Sequence, residues 1–270
     1  MSAPHLLEER RGPVLLLTLN RPEVRNAISP EMACRLADAF EAFDADDALR
    51  VAILTGAGEQ AFCAGGDLGR TLPLLSGDRA PEDDWDRRFL DEPGLQDRSA
   101  LRRSPPAKPV IAAINGLCLA GGMETMLGTD LRICAEGAVF GLPEARRGVI
   151  PFAGALVRLS RQIPEPVALE LLLTGGTIDA ARAHEIGLVN RVVPGAEVLA
   201  RAFEMAGALA ENGPVSLREI KRVVRGSSGL TLDEGFVLED EAKRVVMASK
   251  DAREGPRAFM EKRRPRFVGR

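Results

Sequence analysis

Short apolar runs of strand length alternate with helix-start signals through the first half of the chain, and that alternation confines it to an α/β fold. Residues 14–20 form a β-rich run. Ser29-Pro30-Glu31 then reads as an N-cap, a proline at the first helical position and an acid in the first turn. Met32, Leu36, Phe40 and Phe43 follow at helical spacing, and Arg50 leads into a second strand-type run at 51–55, ended by Gly56 and Gly58. Further runs at 110–114, closed by Asn115-Gly116, and at 131–134, after a Gly-Gly helix start, repeat the pattern. Between Arg70 and Lys108 it dissolves into Pro, Gly and charge around the single tryptophan, Trp85, which predicts a lid or a disordered connection. From Pro164 onward the sequence reads as helical, broken by one strand at 189–193. The expected division is a catalytic core over residues 1–195 and a helical C-terminal subdomain over 196–270.

Composition removes several chemistries. The chain has no tyrosine and only two histidines, His5 in a terminus expected to fray and His184 just before the helix stop at Gly187, so a histidine-based triad is hard to build. No G-x-S-x-G, G-x-G-x-x-G or Walker-type loop occurs. Cys34, Cys63, Cys118 and Cys134 are widely spaced in apolar stretches, which predicts buried thiols and no metal site. A net charge of −3 argues against phosphate-neutralising nucleic-acid binding. Residues 1–11 lack an apolar signal core and no run is long enough to span a bilayer, so a cytoplasmic protein without membrane contact is expected.

Three segments carry the chemistry. Ala61-Phe62-Cys63-Ala64-Gly65-Gly66-Asp67-Leu68 follows the strand at 51–55, and its glycines permit a turn that aims a peptide N–H outward. Ile114-Asn115-Gly116-Leu117-Cys118-Leu119-Ala120-Gly121-Gly122-Met123-Glu124 ends a strand and opens a helix, whose free N–H groups attract anions and whose first turn holds Glu124. Phe140-Gly141-Leu142-Pro143-Glu144 places a second glutamate in an apolar loop. Each has a plainer explanation as a turn, a dipole partner or a solvated acid.

Together the segments resemble the crotonase superfamily, the enoyl-CoA hydratase and isomerase family, from about Val14 to the C-terminus. The resemblance implies a spiral of repeated β-β-α units with a helical C-terminal subdomain. It also implies oxyanion donors at Gly66 and Gly121, with Glu144 as principal proton-transfer residue and Glu124 orienting water. Ala64, Asp67, Leu68, Arg25 and Phe152 would contact substrate, and Phe259 and Lys262 in Glu254-Gly255-Pro256-Arg257-Ala258-Phe259-Met260-Glu261-Lys262-Arg263 would meet the nucleotide end of coenzyme A. Residues 253–270 hold seven Arg or Lys against two Glu, a charge that attracts phosphates, and Phe259 and Lys262 are three apart, as if on one helix face.

The implied activity is reversible addition of water to a trans-2-enoyl-CoA, with no cofactor beyond the coenzyme A of the substrate and assembly as a trimer or dimer of trimers. An isomerase, a dehydratase of a polar acyl-CoA and a catalytically silent acyl-CoA- or RNA-binding paralogue are the alternatives. Retention of both glutamates favours water chemistry. The chain departs from the family's I-P-G-A-G-G pattern at Ile150-Pro151-Phe152-Ala153-Gly154-Ala155, where Phe152 replaces a glycine beside the expected water, and Gly69 stands where a lysine is common, leaving Arg70 or Arg25 for phosphate.

Overall fold

A computed structural model describes residues 3–270. The apolar runs are β2 (Val14–Leu19), β3 (Val51–Gly56), β5 (Val110–Ile114) and β7 (Leu131–Ala135); they pair in parallel as neighbours, buried almost throughout. Strands covered on both faces read as continuous hydrophobic sequence, which is why these four were visible. β1 (Leu6–Arg11) and β10 (Arg191–Val193) complete a six-stranded sheet in the order β1-β2-β3-β5-β7-β10. β1 corrects the expectation of a fraying terminus. It pairs antiparallel with all of β2, and the His5 ring lies 2.7 Å from the Ser29 hydroxyl.

A second sheet of four short strands, β4 (Ala61–Cys63), β6 (Leu117–Leu119), β8 (Val139–Gly141) and β9 (Thr177–Asp179), has that same order. β3 leads to β4, β5 to β6 and β7 to β8, so each turn of the chain adds one strand to each sheet in parallel with the turn before. This is the expected spiral of β-β-α units.

α1 (Pro30–Ala45) starts where predicted: the Ser29 hydroxyl accepts from the Met32 N–H at 3.1 Å, and Met32, Leu36, Phe40 and Phe43 are buried. The connection from Arg70 to Lys108 is neither disordered nor open. It folds into α2 (Thr71–Ser76), α3 (Asp84–Asp91) and α4 (Leu95–Ser99), and Leu74, Phe89 and Leu95 bury themselves against Ala33, Cys34 and Ala37 of α1. The fully buried Asp86 accepts from Arg79 at 2.6 Å and from Arg70 at 3.4 Å, and the Arg79 bond holds its carboxyl down at about 2. α2 and α4 are too short to show a 3.6-residue period, and the Asp86 ion cluster ties α3 to the segment before it.

α5 (Gly121–Gly128) is buried against β4, β6 and α6 (Ala155–Gln162), followed by α7 (Glu165–Thr174), α8 (Ala180–Glu185) and α9 (Val198–Ala210). α9 packs Val198, Ala202 and Ala206 into the main core against β3, β5 and β7, so residue 195 does not separate the core from an independent helical layer. The helices that stand apart from the sheets are α10 (Pro214–Gly226), α11 (Leu232–Ala248) and α12 (Asp251–Met260). All four cysteines are buried and unbridged. Among the described residues no helix is long and apolar enough to cross a membrane.

Candidate active site

The three sequence motifs occupy equivalent places in three successive turns of the spiral. Ala64-Gly65-Gly66 follows β4, Ala120-Gly121 follows β6, and Leu142-Pro143-Glu144 follows β8, which are adjacent parallel strands of the small sheet. Segments far apart in sequence therefore converge at the carboxyl ends of neighbouring strands, where open α/β sheets bind their ligands. All three line one cavity of about 220 Å³.

Backbone strain sets two amides side by side. Ala120 takes φ 49°, a left-handed value that a side chain resists, and its N–H is anchored to the Gly141 carbonyl at 2.9 Å. Gly65 has φ 104°, and a Cβ there would lie 2.6 Å from the Ala120 Cβ, so only glycine lets the loops touch. A Cβ placed on Gly121 would stand 3.5 Å from the Gly66 nitrogen. Neither the Gly66 nor the Gly121 N–H has an acceptor among the described residues, and both line the cavity. Gly121 also opens α5, whose dipole adds to the local positive potential.

Glu124, one turn into α5, is only 3 % exposed. Its Oε1 accepts from the Ala153 N–H at 2.6 Å and the Ala155 N–H at 3.2 Å, which fixes the carboxyl while leaving Oε2 without a protein donor among the described residues. Burial pushes this carboxyl up to about 7; the nearby charge of Glu144 adds to the rise and the two amides oppose it. Glu144 sits on a turn of 3-10 helix, Pro143–Arg147, with Oε2 buried and unpartnered. Burial raises its pKa too, against its own backbone hydrogen bond and the Arg147 charge. The charge of Glu144 disfavours ionisation of Glu124, so the two carboxyls resist being ionised together.

The whole of residues 9–270 matches the family model described as enoyl-CoA hydratase/isomerase. The chain belongs to the enoyl-CoA hydratase/isomerase family. It is 42% identical over 269 residues to "Enoyl-CoA hydratase EchA19" of Mycobacterium tuberculosis, covering 100% of this chain and 98% of that protein. It is 39% identical to the carnitinyl-CoA dehydratase of Proteus mirabilis, over 96% of this chain and 97% of that one. The crystal structure of enoyl-CoA hydratase EchA1 from Mycobacterium marinum superposes with a TM-score of 0.89 at 39% identity, over 99% of this chain and 100% of that one.

Within this enoyl-CoA hydratase/isomerase fold the other expected site residues divide. Ala64, Leu68 and Phe152 line the cavity, and Phe152 is 52 % exposed, so its ring is not packed in the core. Asp67 turns away: it pairs with Arg21 at 2.8 Å and accepts from the Gly69 N–H, tying down its own loop. Arg25 takes φ 54°, and its carbonyl holds the Ala64 N–H at 3.0 Å; its side chain does not line the cavity. Arg70 is bound to Asp83 and Asp86, so it is not a free phosphate contact.

Phe259 and Lys262 are also outside the cavity. Phe259 is 81 % exposed on α12, but the helix ends at Met260 and Lys262 has φ 53°, so the two do not share a helix face. The basic tail folds back through acids, Glu254 accepting from Arg257 and Arg263, and Asp251 from the Val268 and Gly269 amides. Leu72, Leu75, Phe89, Gln96 and Thr125 complete the cavity wall. Sequence reasoning missed the first four because they lie in α2–α4, whose cap was signalled only by Asp83: its side chain accepts from the Asp86 N–H at 2.8 Å.

Proposed function

We propose that the protein is an enoyl-CoA hydratase, adding water reversibly across the double bond of a trans-2-enoyl-CoA. The observation that carries this reading is the meeting of two acceptor-free amides, Gly66 and Gly121, with two carboxyls of raised pKa in one cavity. Addition to an α,β-unsaturated thioester drives electrons onto the carbonyl oxygen, and two fixed N–H donors stabilise that charge without reorganising, each worth about 3 kcal/mol. Water lies between the glutamates, oriented by Glu124. As its oxygen bonds to C3, it loses one proton to the carboxyl pair, and the proton the pair already held passes from Glu144 to C2. The pair ends as it began, singly protonated, so the cycle needs no further cofactor. Coenzyme A belongs to the substrate.

Dehydration of a hydroxyacyl-CoA is the same step reversed, and the likeness to carnitinyl-CoA dehydratases favours it as a second reading. Trans-2-enoyl-CoA added to the protein should lose its conjugated absorbance with formation of 3-hydroxyacyl-CoA. Tight binding without conversion would instead identify a silent acyl-CoA binder, and conversion of 3-enoyl- to 2-enoyl-CoA alone would identify an isomerase.

The assembly we propose is a trimer or a dimer of trimers. Leu232, Phe236 and Val237 on α11 and Ile220 and Val224 on α10 are exposed, an apolar surface of the kind that subunits cover. Light scattering that gives a monomer at micromolar concentration would refute this.

A further inference from the structure

Arg158 lies on α6, one turn after Ala155, whose amide holds Glu124. Its Nη2 donates to the carbonyls of Leu101 and Arg102, the latter at 2.6 Å. Leu101 itself has φ 53°, a strained conformation closing the segment whose Ser99 and Ala100 line the cavity. Nη1 of Arg158 is buried without a partner among the described residues. A Cβ on Gly128 would stand 2.8 Å from that nitrogen, and one on Gly154, the residue capping α6, would stand 3.6 Å from it. Gly128 is four residues beyond Glu124 on α5, hence on the same helix face one turn along. The guanidinium therefore touches the segment that follows Ser99 and Ala100 of the cavity wall, the turn that presents the Ala153 and Ala155 amides, and the helix that carries Glu124.

We infer that Arg158 is a positioning residue for Glu124, locking the start of α6, beside the Ala153 and Ala155 amides, to the Leu101 and Arg102 carbonyls. The inference rests on the hydratase reading. The planar guanidinium suits the task because Nη2 holds both carbonyls while the rest of the fork lies against Gly128 and Gly154. Packing alone would favour an apolar side chain here, since a buried cation with a spare donor is costly. The charges facing this spot are Glu124, Glu144 and Arg102, with Arg225 and its partner Asp130 on the α10 side. Burial lowers the Arg158 pKa to about 10, so it stays charged near neutrality. Its charge favours the ionised form of Glu124.

The test uses Arg158→Met and Arg158→Lys in the full chain, with kcat, KM, the pH profile of kcat and thermal stability measured on each. Met should lower kcat about ten- to a hundredfold, because misplacing a reacting group by about an ångström costs that much, while KM moves less than about threefold. The acidic limb of its pH profile should move upward. Lys should keep the limb where it is and recover part of kcat. Met that lowers stability yet leaves kcat and the limb unchanged would reduce Arg158 to a structural tie and overturn the inference. If Arg158→Met does not fold, Arg158→Gln substitutes for it: the amide keeps a donor but loses the charge, so kcat should fall and the acidic limb move upward, and an unchanged kcat and limb would overturn the inference. A wild-type protein without hydratase activity refutes the functional reading separately. Titration of the Glu124 carboxyl by carbon NMR then decides the Arg158 question, an upward shift in Arg158→Met supporting it and no shift refuting it.

Discussion

Glu124→Gln should make the protein more stable while impairing it as a hydratase, and the gain should depend on pH. A carboxyl raised from 4.5 to about 7 by burial weakens folding by about 3 kcal/mol once ionised, at about 1.4 kcal/mol per pH unit. Between those values the folded protein keeps a proton that the unfolded chain has released, so stability falls as pH rises through the window and stays lower above it. Glutamine has no such fall. Its carbonyl can still accept from the Ala153 and Ala155 amides, and its NH2 faces the cavity side where Oε2 now lies. Allowing about 1 kcal/mol for the imperfectly solvated amide at either pH, the variant should gain about 2 kcal/mol at pH 8 and lose roughly 0.5 kcal/mol at pH 4.5. For a chain of this size the gain is a rise in Tm of about 4–8 °C. Thermal unfolding of both proteins at equal concentration and at the two pH values measures it. A gain of the same size at both pH values, or none at pH 8, would refute the argument that burial perturbs this carboxyl.

Glu144→Gln should lower kcat by roughly 10²–10⁴-fold with acyl-CoA binding largely kept, because the amide preserves size but cannot exchange a proton; stopped-flow turnover beside calorimetric binding checks it, and unchanged turnover removes Glu144 from the chemistry. Gly66→Pro deletes one amide at a place where an added Cβ meets nothing within 4 Å; the expected loss is about 10²–10³ in kcat, and activity retained within about threefold would exclude Gly66 as an oxyanion donor. Phe152→Gly should shift the ratio of kcat/KM toward bulkier enoyl groups, by about 1–3 kcal/mol per methylene-sized misfit. A core-sized loss of stability with the ratio preserved would contradict the cavity position of the ring.

What was legible in the sequence follows from what each residue must do by itself. β2, β3, β5 and β7 were visible because parallel strands buried on both faces must be apolar throughout. β4, β6, β8 and β9 are three residues each, too short for any period to register. β1, Leu-Leu-Glu-Glu-Arg-Arg, buries only Leu6 and holds its place through backbone pairing, which leaves no hydrophobic trace. The glycines and glutamates of the site were legible because their chemistry is compressed into contiguous motifs. Asp67 and Arg25 sit within or beside such motifs yet serve the loop's own geometry, a distinction that requires knowing which way each side chain points. The wall residues Leu72, Leu75, Phe89 and Gln96 come from segments whose folding depends on the buried Asp86 cluster, and an ion cluster formed across sixteen residues has no sequence period.

The spiral also explains why this site can tolerate so much local cost. Ala120 is held at a left-handed φ, Gly65 and Ala120 approach at the limit of contact, and the buried Glu124 and half-buried Glu144 have no counter-ion bonded to them among the described residues. Any one of these would relax on a free loop. Here each loop leaves a strand paired within the four-stranded sheet: Gly141 of β8 binds the Ala120 amide, Ile28 binds the Gly65 carbonyl through its N–H at 2.8 Å, and the Asp67 amide returns to the Ile28 carbonyl at 3.0 Å. Relaxing the strain at Ala120 would break the β8 contact. Moving the Gly65-Gly66 loop away would break the pair of bonds to Ile28 at the mouth of α1. A slip of one residue in β6 would turn the buried Cys118 outward, which the core opposes. The amides of Gly66 and Gly121 are therefore held in advance by structure that gains nothing from substrate, the condition under which fixed dipoles stabilise a developing charge rather than follow it.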